Sequence, residues 1–137
     1  MISDWMQANG VYLFLALLVG WMLWQRMLAP MLSGVKRLGA EEYLKMRSTE
    51  HVLLDVRTAA EWASGHAPKA IHIPLGDISN RMREIPEDKP VVVVCASGNR
   101  SAMAATALAK KGYSPVFNFA GGMGAWRSAG LPVKAGK

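Results

Sequence analysis

Pro90-Val91-Val92-Val93-Val94-Cys95-Ala96-Ser97-Gly98-Asn99-Arg100-Ser101 runs from a strand signal through a turn into a helix. Pro90 introduces four consecutive valines. β-branched side chains favour the pleated backbone, and a run that is apolar at every position has both faces covered. Such a strand belongs in the middle of a parallel sheet between helices. After Cys95 comes a short turn that contains Gly98. Ser101 to Lys111 reads as an alanine-rich helix, with Lys110-Lys111 in its last turn and Gly112 just beyond.

The flanking sequence repeats this alternation. Val35–Leu38 is a short strand and Ala40–Arg47 a weakly patterned helix. His51–Val56 is a strand. Thr58–Ala63 is a helix with Thr58 as N-cap, Glu61 completing a capping box, and Gly65 ending it. Ala70–Ile73 is a strand. Ile78, Met82 and Ile85 share one helical face, which Pro86 stops. Val116–Phe119 is a last strand and Gly122–Ala129 a closing helix. This order predicts an α/β domain with a mainly parallel sheet over residues 35–137.

The 137 residues suit one domain plus a tail, which excludes a two-domain enzyme with an interdomain cleft. At 51% hydrophobic and 19% charged residues the chain is too apolar for disorder. Its net charge of +6 is scattered, with no run longer than a pair such as Lys36-Arg37, so no nucleic-acid footprint is predicted. Cys95 is the one cysteine, which excludes an internal disulfide, a paired-cysteine redox motif and a cysteine zinc cluster.

The N-terminal stretch differs in kind. No charged residue lies between Asp4 and Arg26. The 21 residues Trp5–Gln25 would rise roughly 31 Å as a helix, about the thickness of a bilayer's hydrocarbon core. Trp5 and Tyr12 lie toward one end, Trp21 and Trp24 toward the other, as interfacial aromatics do. A buried core helix fits poorly, because a domain of this size rarely hides a helix that is apolar on every face. A cleaved signal peptide would carry a basic residue before the apolar run, and none is there. Residues 1–28 are therefore expected to be a transmembrane anchor, and 29–34 a linker in which Pro30 ends the helix. Arg26, Lys36 and Arg37 follow the span and no Lys or Arg precedes it. The expectation is a single-pass protein of the inner membrane, N-terminus outside and the domain in the cytoplasm. The lipid bilayer is then a partner, and a membrane protein complex a candidate one.

In open parallel sheets, ligands bind beyond the carboxyl ends of the strands. Cys95 stands at such an end. The turn and helix start after it make a nest of backbone N–H groups, and the helix dipole adds positive potential. A thiol there ionises more readily than a free one, so Cys95 reads as a nucleophile rather than an inert core cysteine.

At these residues the chain resembles the rhodanese-like sulfurtransferase family. The resemblance rests on Leu53-Leu54-Asp55-Val56-Arg57, Glu61-Trp62 with Gly65-His66-Ala67, Ala70-Ile71-His72-Ile73-Pro74, Cys95 to Ser101, and Gly121-Gly122-Met123-Gly124-Ala125-Trp126, in that order. It implies a five-stranded, mainly parallel sheet flanked by helices. It implies a sulfurtransferase in which Cys95 is catalytic, accepts sulfane sulfur as a persulfide from a small-molecule or protein donor, and passes it to a thiophilic acceptor. Ala96, Ser97, Gly98, Asn99, Arg100 and Ser101 would cradle the sulfur, and Asp55 and Arg57 would support that loop from the neighbouring strand. His66, Pro74 and the Gly121-Gly122 pair would be structural. No metal and no organic cofactor is implied. Many thiosulfate-using members carry a basic residue directly after the cysteine; this chain has Ala96, which counts against thiosulfate as the natural donor.

Two rivals come from other classes. A cysteine phosphatase needs one residue more than the four, Ala96 to Asn99, that separate Cys95 from Arg100 here, because its loop must hold a tetrahedral phosphate. A non-enzymatic membrane adaptor, with the domain as a docking module, would carry the same anchor.

Overall fold

A computed structural model describes residues 2–28 and 34–136. The expected linker, Gly34 apart, and Pro30 within it lie outside the described residues. The chain divides into two compact units.

The first unit is helix α1, Ile2–Leu23, continued by a π turn at Trp24–Leu28. It buries no residue, and its large apolar side chains, such as Phe14 and Leu17, are exposed. By length and composition it can cross a membrane.

The second unit is built on five parallel strands: β1 Val35–Leu38, β2 Val52–Asp55, β3 Ile71–His72, β4 Val91–Val94 and β5 Val116–Phe119. Their spatial order is β1-β5-β4-β2-β3, so β4 is central, paired with β5 on one side and β2 on the other. The intervening helices are α2 Ala40–Met46, α3 Ala59–Ser64, α4 Ile78–Arg81, α5 Asn99–Lys110 and α6 Gly122–Ser128.

The valine run is central for a physical reason. Val91 and Val93 enter one core layer with Leu54, Ile85, Ala104 and Leu108. Val92 and Val94 enter the other with Tyr43, Phe119, Met123 and Trp126. All four valines are fully buried. Each contributes roughly 1.5–3 kcal/mol over an exposed position, and a polar residue at any of them would face apolar neighbours.

Three expected elements differ in extent. The helix expected over Ile78–Ile85 is α4 alone, flanked by 3-10 turns at Leu75–Asp77 and Met82–Glu84. Its last turn tightens so that the Ile85 amide donates to the Met82 carbonyl just ahead of Pro86. Ile78 and Ile85 still reach the core. The strand expected over Ala70–Ile73 narrows to two residues at the sheet edge. Helix α5 starts at Asn99, two residues earlier than expected, because Gly98 takes the left-handed conformation (φ 106°) and turns the chain at once.

Candidate active site

The end of β4 leads directly into the site. Cys95 follows Val94, Ala96 to Gly98 make the turn, and Asn99, Arg100 and Ser101 form the first turn of α5. Of the residues expected to cradle the sulfur, Ala96, Ser97 and Asn99 are exposed, Gly98 and Arg100 half-buried, and Ser101 buried. Cys95 itself has 0% exposure. Its sulfur accepts a hydrogen bond from the Gly98 amide at 2.9 Å and lies 3.3 Å from Ser101 Oγ.

Two influences oppose each other at this sulfur. Burial, the largest single one, pushes the thiol pKa up. Hydrogen bonds open to the charged sulfur, from the Ser101 side chain and from the Ser101, Gly98 and Ser97 amides, push it down, and together they prevail. The thiol is therefore more acidic than its ordinary value, because the nest supplies donors for the charged form.

The turn is held from behind by α6. Gly121 and Gly122 both take left-handed conformations, φ 78° and 59°. A Cβ on Gly122 would collide with the Ala96 and Cys95 backbone, and the Met123 amide donates to the Cys95 carbonyl at 2.8 Å. Only glycine lets α6 begin this close to the backbone of Cys95.

Asp55 and Arg57 are buried and joined by a forked ion pair, with Arg57 Nη2 2.7 Å from Asp55 Oδ2. The other side-chain hydrogen bonds of Arg57 go to α3 and its C-cap rather than to the turn: it donates to the carbonyls of Glu61 at 3.2 Å and Gly65 at 2.7 Å. The link to the turn runs through Glu61, whose carboxylate receives both Arg100 Nη groups at 2.7 and 2.8 Å. Glu61 also closes the capping box with Thr58. The Arg100 guanidinium, with burial opposing and Thr58 assisting, holds the Glu61 carboxyl down at about 2.

His66 is structural in its contacts. It stacks on Trp62 with ring centroids 3.5 Å apart, and His72 stacks on the same indole at 4.6 Å. Their ring nitrogens meet the carbonyls of Trp62 and Arg57.

Sequence reasoning missed two residues. Glu61 was absorbed by its capping role, which hid its second role as the partner of Arg100. Asn118 is the polar residue inside the apolar strand Val116–Phe119; its Oδ1 receives the Ser101 hydroxyl at 2.5 Å and its Nδ2 donates to the Gly98 carbonyl at 3.2 Å. An amide in an otherwise apolar strand was the available signal.

Among the described residues no group of three His, Cys, Asp or Glu side chains is placed to hold a metal. A groove of about 460 Å³ opens elsewhere, lined by residues such as Tyr43, Arg47, His51, Lys69 and Trp126, and none of its lining residues belongs to the Cys95 turn.

The rhodanese-like domain family matches residues 39–129. A sulfurtransferase of Allochromatium vinosum is 47% identical over 92 residues, covering 66% of this chain and 86% of its own length. The thiosulfate sulfurtransferase GlpE of Pseudomonas syringae is 39% identical over 93 residues, covering 68% and 88%. A crystal structure of a rhodanese-related protein from Thermoplasma volcanium matches with a TM-score of 0.67 at 29% identity, over 72% of this chain and 97% of its own. Sheet order, turn and sequence kinship agree, and the chain belongs to the rhodanese-like domain family.

Proposed function

We propose that the protein is a membrane-anchored sulfurtransferase that works through a persulfide on Cys95. The observation that carries this reading is the cysteine at the end of the central strand with amide and hydroxyl groups converging on its sulfur. The names of the Allochromatium and Pseudomonas relatives support the reaction class.

In the first half-reaction the Cys95 thiolate attacks the outer sulfur of a donor. A sulfur–sulfur bond forms to Cys95, the donor's own bond to that sulfur breaks, and sulfite or a thiolate leaves with the electron pair. Inward-facing amides stabilise the charged persulfide as donors stabilise an oxyanion. In the second half-reaction a thiol or cyanide attacks the terminal sulfur and the Cys95 thiolate returns.

The name of the Pseudomonas relative makes thiosulfate a candidate donor. The local charge favours a persulfide donor instead: Ala96 follows the cysteine, and Arg100, the cation of the turn, is paired by Glu61. Helix α1 would be the anchor. Its unburied apolar surface and the basic residues that follow it support a single pass with the domain in the cytoplasm.

Intact mass spectrometry of the full chain in detergent tests the mechanism. Wild type should gain one sulfur atom from a donor and lose it to cyanide or a thiol, and Cys95→Ser should gain none. Transfer that survived in Cys95→Ser would overturn the mechanism. One observation favours the adaptor reading: the sulfur has no exposed surface, so a donor reaches it only after the 96–98 turn yields. A membrane partner captured equally by wild type and Cys95→Ser, from a protein that takes up no sulfur, would select that reading.

A further inference from the structure

Ser101 has one hydroxyl proton, and two groups face it. Its Oγ lies 2.5 Å from Asn118 Oδ1 and 3.3 Å from Cys95 Sγ. The amide of Asn118 is oriented by its other end, where Nδ2 donates to the Gly98 carbonyl at 3.2 Å. The group facing Ser101 is therefore a carbonyl oxygen, which only accepts. Ser101 must donate to it. The neutral thiol completes a chain in one direction: Cys95 S–H donates to Ser101 Oγ, and Ser101 O–H donates to Asn118 Oδ1.

Ionisation breaks this chain at its head. Once the thiol proton has left to solvent base, the sulfur only accepts. Either the Ser101 hydroxyl swings to the sulfur and strips Asn118 Oδ1 of its donor, or it stays and turns oxygen lone pairs toward a thiolate. Both arrangements cost free energy, since a buried polar group without its partner is unfavourable. Cys95 and Ser101 are both at 0% exposure, so bulk water does not reach the thiolate in the second arrangement; in the first, the half-buried Asn118 recovers only part of what it loses.

We propose that Asn118 is a positioning residue that holds the Ser101 hydroxyl proton away from Cys95 in the resting protein and so sets how readily the sulfur ionises. The backbone amides, with that of Gly98 at 2.9 Å, then carry the new charge first, and the Ser101 hydroxyl joins them only when Asn118 releases it. This rests on the reading of Cys95 as the reacting atom, but not on the identity of any donor or acceptor.

The other charges around the sulfur stay fixed when residue 118 changes. Arg100 lies on α5 and is paired with Glu61 of α3, and the Asp55–Arg57 pair sits where β2 ends. Strand β5 carries no ionisable residue, and neither does α6 before Arg127.

The test is the ionisation midpoint of Cys95 in the full chain, read from thiolate ultraviolet absorbance and from the pH dependence of alkylation by iodoacetamide. Asn118→Leu removes the acceptor at similar volume. It should lower the midpoint by about one pH unit, a tenfold change in the ionisation constant. Ser101→Ala and Ser101→Ala/Asn118→Leu should then share one midpoint, because without the hydroxyl Asn118 has nothing to hold. A midpoint that Asn118→Leu leaves unchanged or raises would overturn the proposal, and so would a lowering that persists in the Ser101→Ala background. Should Asn118→Leu fail to fold, Asn118→Asp keeps the acceptor and strengthens it. Its midpoint should rise, and part of that rise should vanish with Ser101→Ala; a rise wholly independent of Ser101 would overturn the proposal. The midpoint is measured without any sulfur donor, so a failed persulfide assay and a failed titration point to different errors.

Discussion

At Cys95, burial and hydrogen bonding act with opposite signs, and the donors win. Because the folded pKa lies below the unfolded one, the thiolate's contribution to stability is present above the ordinary 9.0 and is lost as pH falls through the folded value. Alkylation of wild type should therefore reach half its maximum below pH 9.0, and a midpoint above it would contradict the balance described here. The Asp55–Arg57 pair gives a second test. Asp55→Ala leaves a buried guanidinium without its partner and should cost about 3–5 kcal/mol in a denaturant titration. Cys95 and its turn were legible in the sequence because strand end, glycine and helix start are contiguous. Glu61 and Asn118 were not, since they meet their partners across 39 and 17 positions and no local pattern records the meeting.

Among the elements, strands β2, β4 and β5 were legible because each is a short, mainly apolar run bounded by turn residues, whereas β1 carries Lys36 and Arg37 between its two apolar ends. The capping box at Thr58 and Glu61 was equally plain, and its hydrogen bonds are present in both directions. The segment around α4 was not, because apolar residues spaced by three and four read the same whether the backbone is α-helical or passes through 3-10 turns. Helix α6 yields a prediction of its own. Gly122→Ala puts a methyl group into the Ala96 and Cys95 backbone from a left-handed conformation. The left-handed backbone alone costs about 1–3 kcal/mol, and the collision must in addition push the turn outward. Both the denaturant midpoint and the alkylation rate of Cys95 should change, whereas Gly124→Ala, where a methyl meets open space, should leave both near wild type.

For the molecule as a whole, all five strands and both core layers lie between Val35 and Leu131. A fragment beginning at residue 35 should express as a soluble, cooperatively unfolding protein with the full chain's Cys95 reactivity. Aggregation under several conditions would show that the N-terminal helix takes part in the fold. The orientation of the proposed anchor needs a separate measurement. A reporter fused after the domain should work in the cytoplasm, and one that works only outside would reverse the topology. The α/β class was legible because strand and helix signals alternate along the chain. The spatial order was not, since β1 pairs with β5 and β2 with β4 without being adjacent in sequence.

The position of β4 has a consequence that isotopes would reveal. Its backbone is flanked by β5 on one side and β2 on the other, beneath two apolar layers. In deuterated buffer the amides of Val91–Val94 should exchange only when the whole domain opens, while the two-residue edge strand β3 trades its protons in smaller fluctuations. One residue beyond that slow segment begins a turn whose outer residues face solvent. Cys95 therefore sits between the backbone expected to exchange slowest and a turn exposed to solvent. The proposed sulfur transfer then asks only the turn to yield to a donor, while the strand beneath keeps the sulfur in place.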